Sequence, residues 1–322
     1  MAEAEPTKFV DVEAPAGFAV PETMRVQVVL DQLGFSPGVI DGKKSERLTQ
    51  AIKGFQASRK LRETGELDKE TKIALDPYRD VAATRTVRIP KDFAGQAFVR
   101  DFPKDAAAQA KLPALSYKHV MEALAERFHT TPATLVALNS PDTKVGAGRI
   151  IRVPNIEDAA LAGPELAERG WNRTLVSLGV GADQRPGKKI VVDKSDGTLR
   201  VIGREETLVA QFPATTGSAK DPLPLGTWKV NGVARNPDFH YNPRLFWDVS
   251  DAKDAQLLKP GPNSPVGVVW IDLSKPHYGI HGTSEPQTIG AAESHGCVRL
   301  TNWDAARLAQ MVGPGVEVVF QA

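Results

Sequence analysis

The sequence predicts a multidomain chain: a small all-α unit of three helices, a small α+β unit, and a mostly β, sandwich-like C-terminal domain with one main helix. Three observations carry that expectation. The chain has 322 residues, and at about 150 residues per domain two or three cores are expected instead of one. Apolar residues recur at helical spacing near the start, whereas the last part is a series of short β-rich segments broken by turn residues. Between these regions lie stretches of Ala, Pro, Gly, Lys and Asp that read as linkers.

Taken in order, Val26, Val29, Leu30 and Leu33 mark one face of a first helix that stops at Gly34. The spacing returns in Leu48, Ala51, Ile52 and Phe55, and Asp68 caps a third short helix ending near Leu75. The first unit therefore spans 21–80. A second unit is expected over 114–155, with a strand at its start, a helix through Val120, Leu124 and Phe128, and a helix capped by Thr131 with Pro132 at its first position. A strand at Ile150 to Val153 closes it. Residues 156–187 read as a second linker around a short helix. From 187 to 321 the texture is β: the Ser195-Asp196-Gly197 turn joins two strands, and further strands are expected at 207–213, 227–233, 266–272 and 316–320. Thr301 and Asp304 form a capping box for the one clear helix, stopped by Gly313-Pro314.

Composition excludes several classes. Forty Lys+Arg face 39 Asp+Glu with no run of like charge, so no electrostatic grip on nucleic acid is expected. No apolar stretch approaches the roughly 18 residues of a membrane span. A single cysteine, Cys297, rules out an internal disulfide and a multi-cysteine zinc site. It is either an inert core thiol or a chemical one. The acidic start, Met1 to Thr7, carries no secretory signal, which fits either a cytosolic protein or an exported chain whose signal has been removed.

Cys297 sits in the most informative stretch: His281-Gly282-Thr283, then Ser284 to Ser294, then His295-Gly296-Cys297-Val298-Arg299-Leu300. A thiol needs a neighbouring base or positive charge to act as a nucleophile. His281 and His295 are the candidates, and Gly296 permits a sharp turn that could aim backbone N–H groups at an oxyanion. His277 and His281 are four apart, but Tyr278, Gly279 and Ile280 between them supply neither a helix nor a general-base glutamate, so no metal is expected. His119, His129, His240 and His277 read as ordinary polar residues, surface or half-buried.

The stretch closely resembles the signature of the L,D-transpeptidase catalytic domain, a His-Gly-Thr followed by Ser-His-Gly-Cys-x-Arg. The likeness extends through Trp270-Ile271-Asp272-Leu273, Tyr278-Gly279-Ile280, Ile289-Gly290 and Thr301-Asn302-Trp303-Asp304; Pro224-Leu225-Gly226-Thr227 fits less well, with Leu223 where a Thr is common. The resemblance implies Cys297 as nucleophile and His281 as its base, oriented by the carbonyl of Gly282. It implies an oxyanion hole around Gly296 and Cys297, and no cofactor. His295 either supports the site or packs the loop; Arg299 either fixes the loop, the favoured reading, or pairs with a stem-peptide carboxylate.

Upstream, Leu33-Gly34-Phe35, Asp41-Gly42, Phe55-Gln56, Leu61, Thr64-Gly65 and Thr71 resemble a three-helix peptidoglycan-binding domain. The second unit, with Asn139 and Val153-Pro154-Asn155, resembles a LysM domain whose Gly-Asp-Thr opening is replaced by Ser116-Tyr117-Lys118-His119. Together these imply a periplasmic enzyme acting on peptidoglycan stem peptides and glycan chains. It would release D-alanine, form 3→3 cross-links or attach another amine through a thioester, and be acylated by carbapenem-type β-lactams. Two other outcomes stay open: a carboxypeptidase or hydrolase that sends water to the same thioester, and a non-catalytic wall-binding protein.

Overall fold

The computed structural model describes residues 8–13, 20–161, 168–218, 220–242, 254–291 and 296–322. After a short strand, β1 (Val10–Asp11), come α1 (Glu22–Gln32), α2 (Glu46–Ser58) and α3 (Lys69–Leu75). Ser45 and Asp68 cap the last two by accepting the N–H groups of Leu48 and Thr71, satisfying donors that a helix start leaves open. The chain leaves α1 through Gly34 at φ +88°, a left-handed conformation that glycine adopts without a Cβ clash. Val26, Val29, Leu30, Phe35, Leu48, Ile52 and Phe55 form the core of this unit.

The opposite side of α1 is buried as well. Met24 and Val28 join a second core with Val87, Leu124, Phe128, Leu135 and Ile151. That core belongs to β2 (Thr84–Arg88), the short helices α4 (Lys91–Ala94) and α5 (Ala106–Gln109), α6 (Val120–Arg127), α7 (Pro132–Leu138) and β3 (Ile150–Pro154). Here the expected boundary needs correction. The strand that pairs antiparallel with β3 is β2, and the stretch read as a linker before residue 114 contains it. Leu115 and Tyr117, where the opening strand was expected, are buried, 0% and 5% exposed, but against another partner. Leu115 N–H donates to the Pro260 carbonyl, and Asn263 donates to Leu115 and Ser116 carbonyls, so this segment docks on the C-terminal domain.

The second presumed linker also carries structure. Within it α8 (Trp171–Leu178) buries Trp171, Leu175 and Leu178 completely, in the core of the C-terminal domain. The domain continues with β4 (Lys189–Asp193), β5 (Thr198–Ile202), β6 (Leu208–Pro213), β7 (Gly226–Arg235), β8 (Phe239–Tyr241), β9 (Gln256–Leu258), β10 (Val269–Leu273), β11 (Gly279–His281), β12 (Val298–Arg299), α9 (Asn302–Met311) and β13 (Glu317–Gln321). Eight strands make one sheet in the order β12-β11-β10-β7-β13-β4-β5-β6, with β8 and β9 a separate pair. The sheet curls until its ends meet. Thr215, just past β6, exchanges both backbone hydrogen bonds with Arg299 of β12. α8 and α9 pack into the curl, so a layered core forms around one sheet.

The three units are joined by backbone and charge as well as by apolar contact. Residues 34–36 pair with Gln211 and cover the open edge of β6, which removes an exposed strand template. Asp31 of α1 pairs bidentately with Arg307 of α9, at 2.6 and 3.0 Å, and with His129 Nδ1 at 2.9 Å. His129 was expected near the surface; it is fully buried, with Nε2 on the Leu178 carbonyl at 2.7 Å and its ring stacked on Trp303. A buried carboxylate tolerates this place only because both partners are cationic or hydrogen-bonded to it. Burial pushes Asp31 upward, but Arg307 and His129 outweigh it and hold the carboxyl well below its ordinary value.

Candidate active site

Two short strands build the site. β11 runs antiparallel to β10, with Trp270 opposite His281, and parallel to β12, with Ile280 opposite Val298 and His281 opposite Arg299. Cys297 directly precedes Val298, so the thiol lies beside the strand that ends in His281. Gly296 enters the strand at φ +100°, and a Cβ there would stand 2.9 Å from the Tyr278 ring. Only glycine serves both the turn and the close approach. The loop that presents the thiol is thus built by its neighbour in sequence.

His281 is 5% exposed, and its Nδ1 lies 2.7 Å from the Gly282 carbonyl oxygen. That oxygen can only accept, so Nδ1 carries the hydrogen and Nε2 keeps a lone pair. The Trp270 ring stacks on the imidazole at 5.6 Å and fixes its plane. Burial, and secondarily Arg299, push the His281 pKa down to about 4 against the pull of the Gly282 carbonyl. The imidazole is therefore neutral at pH 7, with a lone pair left on Nε2.

Cys297 is half-buried. Burial pushes its thiol up, while the Gly279 backbone amide and Arg299 act in the opposite direction. The resting sulfur is a thiol, directed toward the His277 carbonyl at 3.8 Å. His277 itself holds a left-handed backbone at φ +68°, a strained conformation for this residue type. Tyr278 borders the thiol, and its phenol is pushed up first by burial and then by Cys297.

Of the residues expected from sequence, Cys297, His281, Gly282, Gly296 and Arg299 come together. His295 lies outside the described residues. Arg299 is held in the ladder, its backbone paired with Thr215 and His281. Among the described residues no cluster of His, Cys, Asp and Glu could hold a metal ion, and His240 is exposed on β8. Sequence reasoning missed the parts played by Trp270, Tyr278 and Arg47. Arg47 reaches from α2 to the carbonyls of Gln287 and Ile289, at 3.1 and 2.8 Å, in the loop between His281 and Cys297. Trp270 and Tyr278 stood in the motif run, but residue type alone gave them no role.

A lone thiol next to a neutral, oriented imidazole is the equipment of a cysteine-nucleophile acyl-transfer enzyme. Residues 187–320 match the L,D-transpeptidase catalytic domain, and residues 20–75 match a family described as "Putative peptidoglycan binding domain". The protein named "Putative L,D-transpeptidase YkuD" of Bacillus licheniformis is 30% identical over 200 residues, covering 62% of this chain and 91% of that protein. "Probable L,D-transpeptidase YbiS" of Escherichia coli K12 is 28% identical over 134 residues, 41% of this chain and 44% of that protein. The solved L,D-transpeptidase from Mycobacterium smegmatis aligns over 75% of this chain and 92% of that one, at 18% identity and a TM-score of 0.35. The chain belongs to the L,D-transpeptidase family. The second unit is matched by neither family model.

Proposed function

We propose that this transpeptidase acts on peptidoglycan tetrapeptide stems through a Cys297 thioester. The observation that carries the reading is the neutral His281, whose Nδ1 is committed to the Gly282 carbonyl at 2.7 Å on the strand beside the thiol. As Cys297 Sγ attacks the carbonyl of the third stem residue, its proton passes to His281 Nε2 and a C–S bond forms. Backbone N–H groups around Gly296 and Cys297 face the oxyanion. The tetrahedral species collapses with loss of D-alanine, whose amine takes the proton from the imidazolium. The side-chain amine of a second stem then attacks the thioester, gives its proton to His281, and expels Cys297, leaving a 3→3 amide. The exchange of one amide for another through a thioester needs no cofactor.

Two upstream units support wall targeting: the peptidoglycan-binding unit by its family match, and the LysM-like unit by the α6–α7 helix pair that leads into β3, as a glycan contact. The compartment that holds such substrates is the periplasm, and no helix among the described residues is long and apolar enough to cross a membrane. Carbapenems, as acyl donors, acylate Cys297 on this reading. Arg299 fixes the loop and lowers the thiol's pKa. Product analysis with purified disaccharide-tetrapeptide, with and without an amine acceptor, tests the reading. Cross-linked dimer and free D-alanine, both lost in Cys297→Ala, are expected. Tripeptide alone in the presence of acceptor moves the assignment to a carboxypeptidase, and no product from the wild type moves it to wall binding.

A further inference from the structure

The second unit reaches the candidate base through side chains that the reaction does not use. Gly282, whose carbonyl holds His281 Nδ1, is packed against the Asn302 carboxamide: a Cβ on Gly282 would lie 2.2 Å from Asn302 Oδ1. The same oxygen would meet a Cβ on Gly267 at 2.0 Å and accepts the Val268 N–H at 3.2 Å. Oδ1 thus seats the backbone on which the His281 loop rests. Nδ2 points the other way, donating to the Pro262 carbonyl at 3.1 Å and to Glu126 Oε1 at 2.8 Å. Glu126 lies on α6 of the second unit, and its other oxygen bonds the Tyr117 hydroxyl at 2.7 Å. Asn302 is 0% and Glu126 5% exposed, so neither can turn to water instead.

A carboxamide can rotate by half a turn with almost no change of shape, exchanging its oxygen for its NH2 group. Turned over, Asn302 would set donors against the Val268 N–H and oxygen against Glu126. We propose that Glu126 is a positioning residue for His281: by accepting from Asn302 Nδ2 it locks the carboxamide with its oxygen on the 267–268 and 282 backbone, and so keeps the Gly282 carbonyl on His281 Nδ1. The proposal rests on the reading of His281 as the base. Burial raises Glu126 to about 8, and the protonated acid still serves, with its proton on Oε2 toward Tyr117 and Oε1 accepting. A glutamine reproduces that pattern. The catalytic domain therefore borrows part of its alignment from the unit beside it.

The test compares Glu126→Leu with Glu126→Gln in the full chain. Leucine fills the space without the acceptor, and Asn302 Nδ2 keeps its bond to Pro262. Two readouts are taken: the 15N signals of the His281 imidazole, assigned with His281→Gln, and the first-order rate and apparent KM of Cys297 acylation by a tetrapeptide stem. Glu126→Leu is expected to mix the His281 tautomers and to slow acylation about 10- to 100-fold, the scale of a misplaced catalytic group, with KM changed less than about threefold. Glu126→Gln restores the single Nδ1–H tautomer and most of the rate. Wild-type signals and rate in Glu126→Leu, or equal impairment in both variants, overturn the proposal. If Glu126→Leu loses its cooperative melt, Asn302→Asp replaces it, and His281 signals unmoved by that change also overturn the proposal. Should the wild type turn over no stem at all, the enzymatic reading fails, while the His281 signals still decide the positioning claim.

Discussion

His129 and His281 are both buried, both stacked on a tryptophan and both pushed below the ordinary imidazole pKa first of all by burial. What separates them is the second nitrogen. His129 uses both, one on the Asp31 carboxylate and one on the Leu178 carbonyl, and so ties α1, the second unit and α8 together. His281 commits Nδ1 to Gly282, and among the described residues no hydrogen bond occupies its Nε2. A histidine with two partners is a fastener; one with a single strong partner, beside a thiol, has a lone pair to use. The difference fits a structural role for the first and, on the proposed mechanism, proton transfer for the second.

Substitution breaks the comparison most sharply. His281→Ala is expected to lower the rate of Cys297 acylation by about 10³-fold, within the range for a general base, with little loss of cooperativity in the melt. His129→Ala should do the reverse. Removing one partner of a buried pair leaves Asp31 less compensated, and the urea-unfolding free energy should fall by about 3 kcal/mol, while acylation per folded molecule changes less than about threefold. A strong rate loss in a fully folded His129→Ala would remove the distinction.

Acidity sharpens it next. His281 is lowered to about 4 in the fold from 6.5, so the base stays unprotonated down to that pH. Acylation should be level between about pH 8 and 5 and fall about tenfold per unit below pH 4. For stability the sign is the same. Between pH 6.5 and 4 the unfolded chain binds a proton that folded His281 refuses, so stability present above pH 6.5 declines as pH falls. Relative to His281→Gln, the wild type should lose about 3 kcal/mol over that interval, read by urea melts at each pH. The comparison with a variant is needed because Asp304, raised by burial to about 7, drives stability the other way.

Smaller effects are expected at the loop between the two site segments. Arg47→Ala removes the hold on the Gln287 and Ile289 carbonyls and should slow acylation by less than about tenfold, because one partly exposed side chain is lost and the backbone ladder remains. Thr215→Val removes the hydroxyl that accepts the Gly290 N–H but keeps the bridge to Arg299, and should cost about 1 kcal/mol of stability. Single-turnover mass measurements and urea melts, respectively, check both.

Several helices were legible because caps and apolar spacing lie within a few residues of one another: Asp68 in the first unit and Thr301 in the C-terminal domain each stand at the start of the helix they cap. The layout of the candidate site was legible for a related reason, since Gly282 and Gly296 adjoin His281 and Cys297 in sequence. What was not legible depends on distant partners. Thr84–Arg88 becomes a strand because it pairs with residues 150–154, with α4 to α7 between them. The buried state of His129 requires Asp31 and Arg307, which are remote in sequence. The short helix expected within 156–187 is α8, but its complete burial in the C-terminal core depends on partners remote in sequence. Cores and polar networks that cross units leave no local period to read.

The central claim is that Nε2 of His281, and not of His129, takes the proton when Cys297 is acylated. Intact-protein mass spectrometry on wild type, His281→Ala and His129→Ala, each mixed with disaccharide-tetrapeptide and quenched over time, tests it most directly. The account predicts a Cys297 adduct that has lost D-alanine in wild type and in folded His129→Ala at similar rates, and its near absence in His281→Ala. An adduct forming as fast in His281→Ala as in wild type would contradict it.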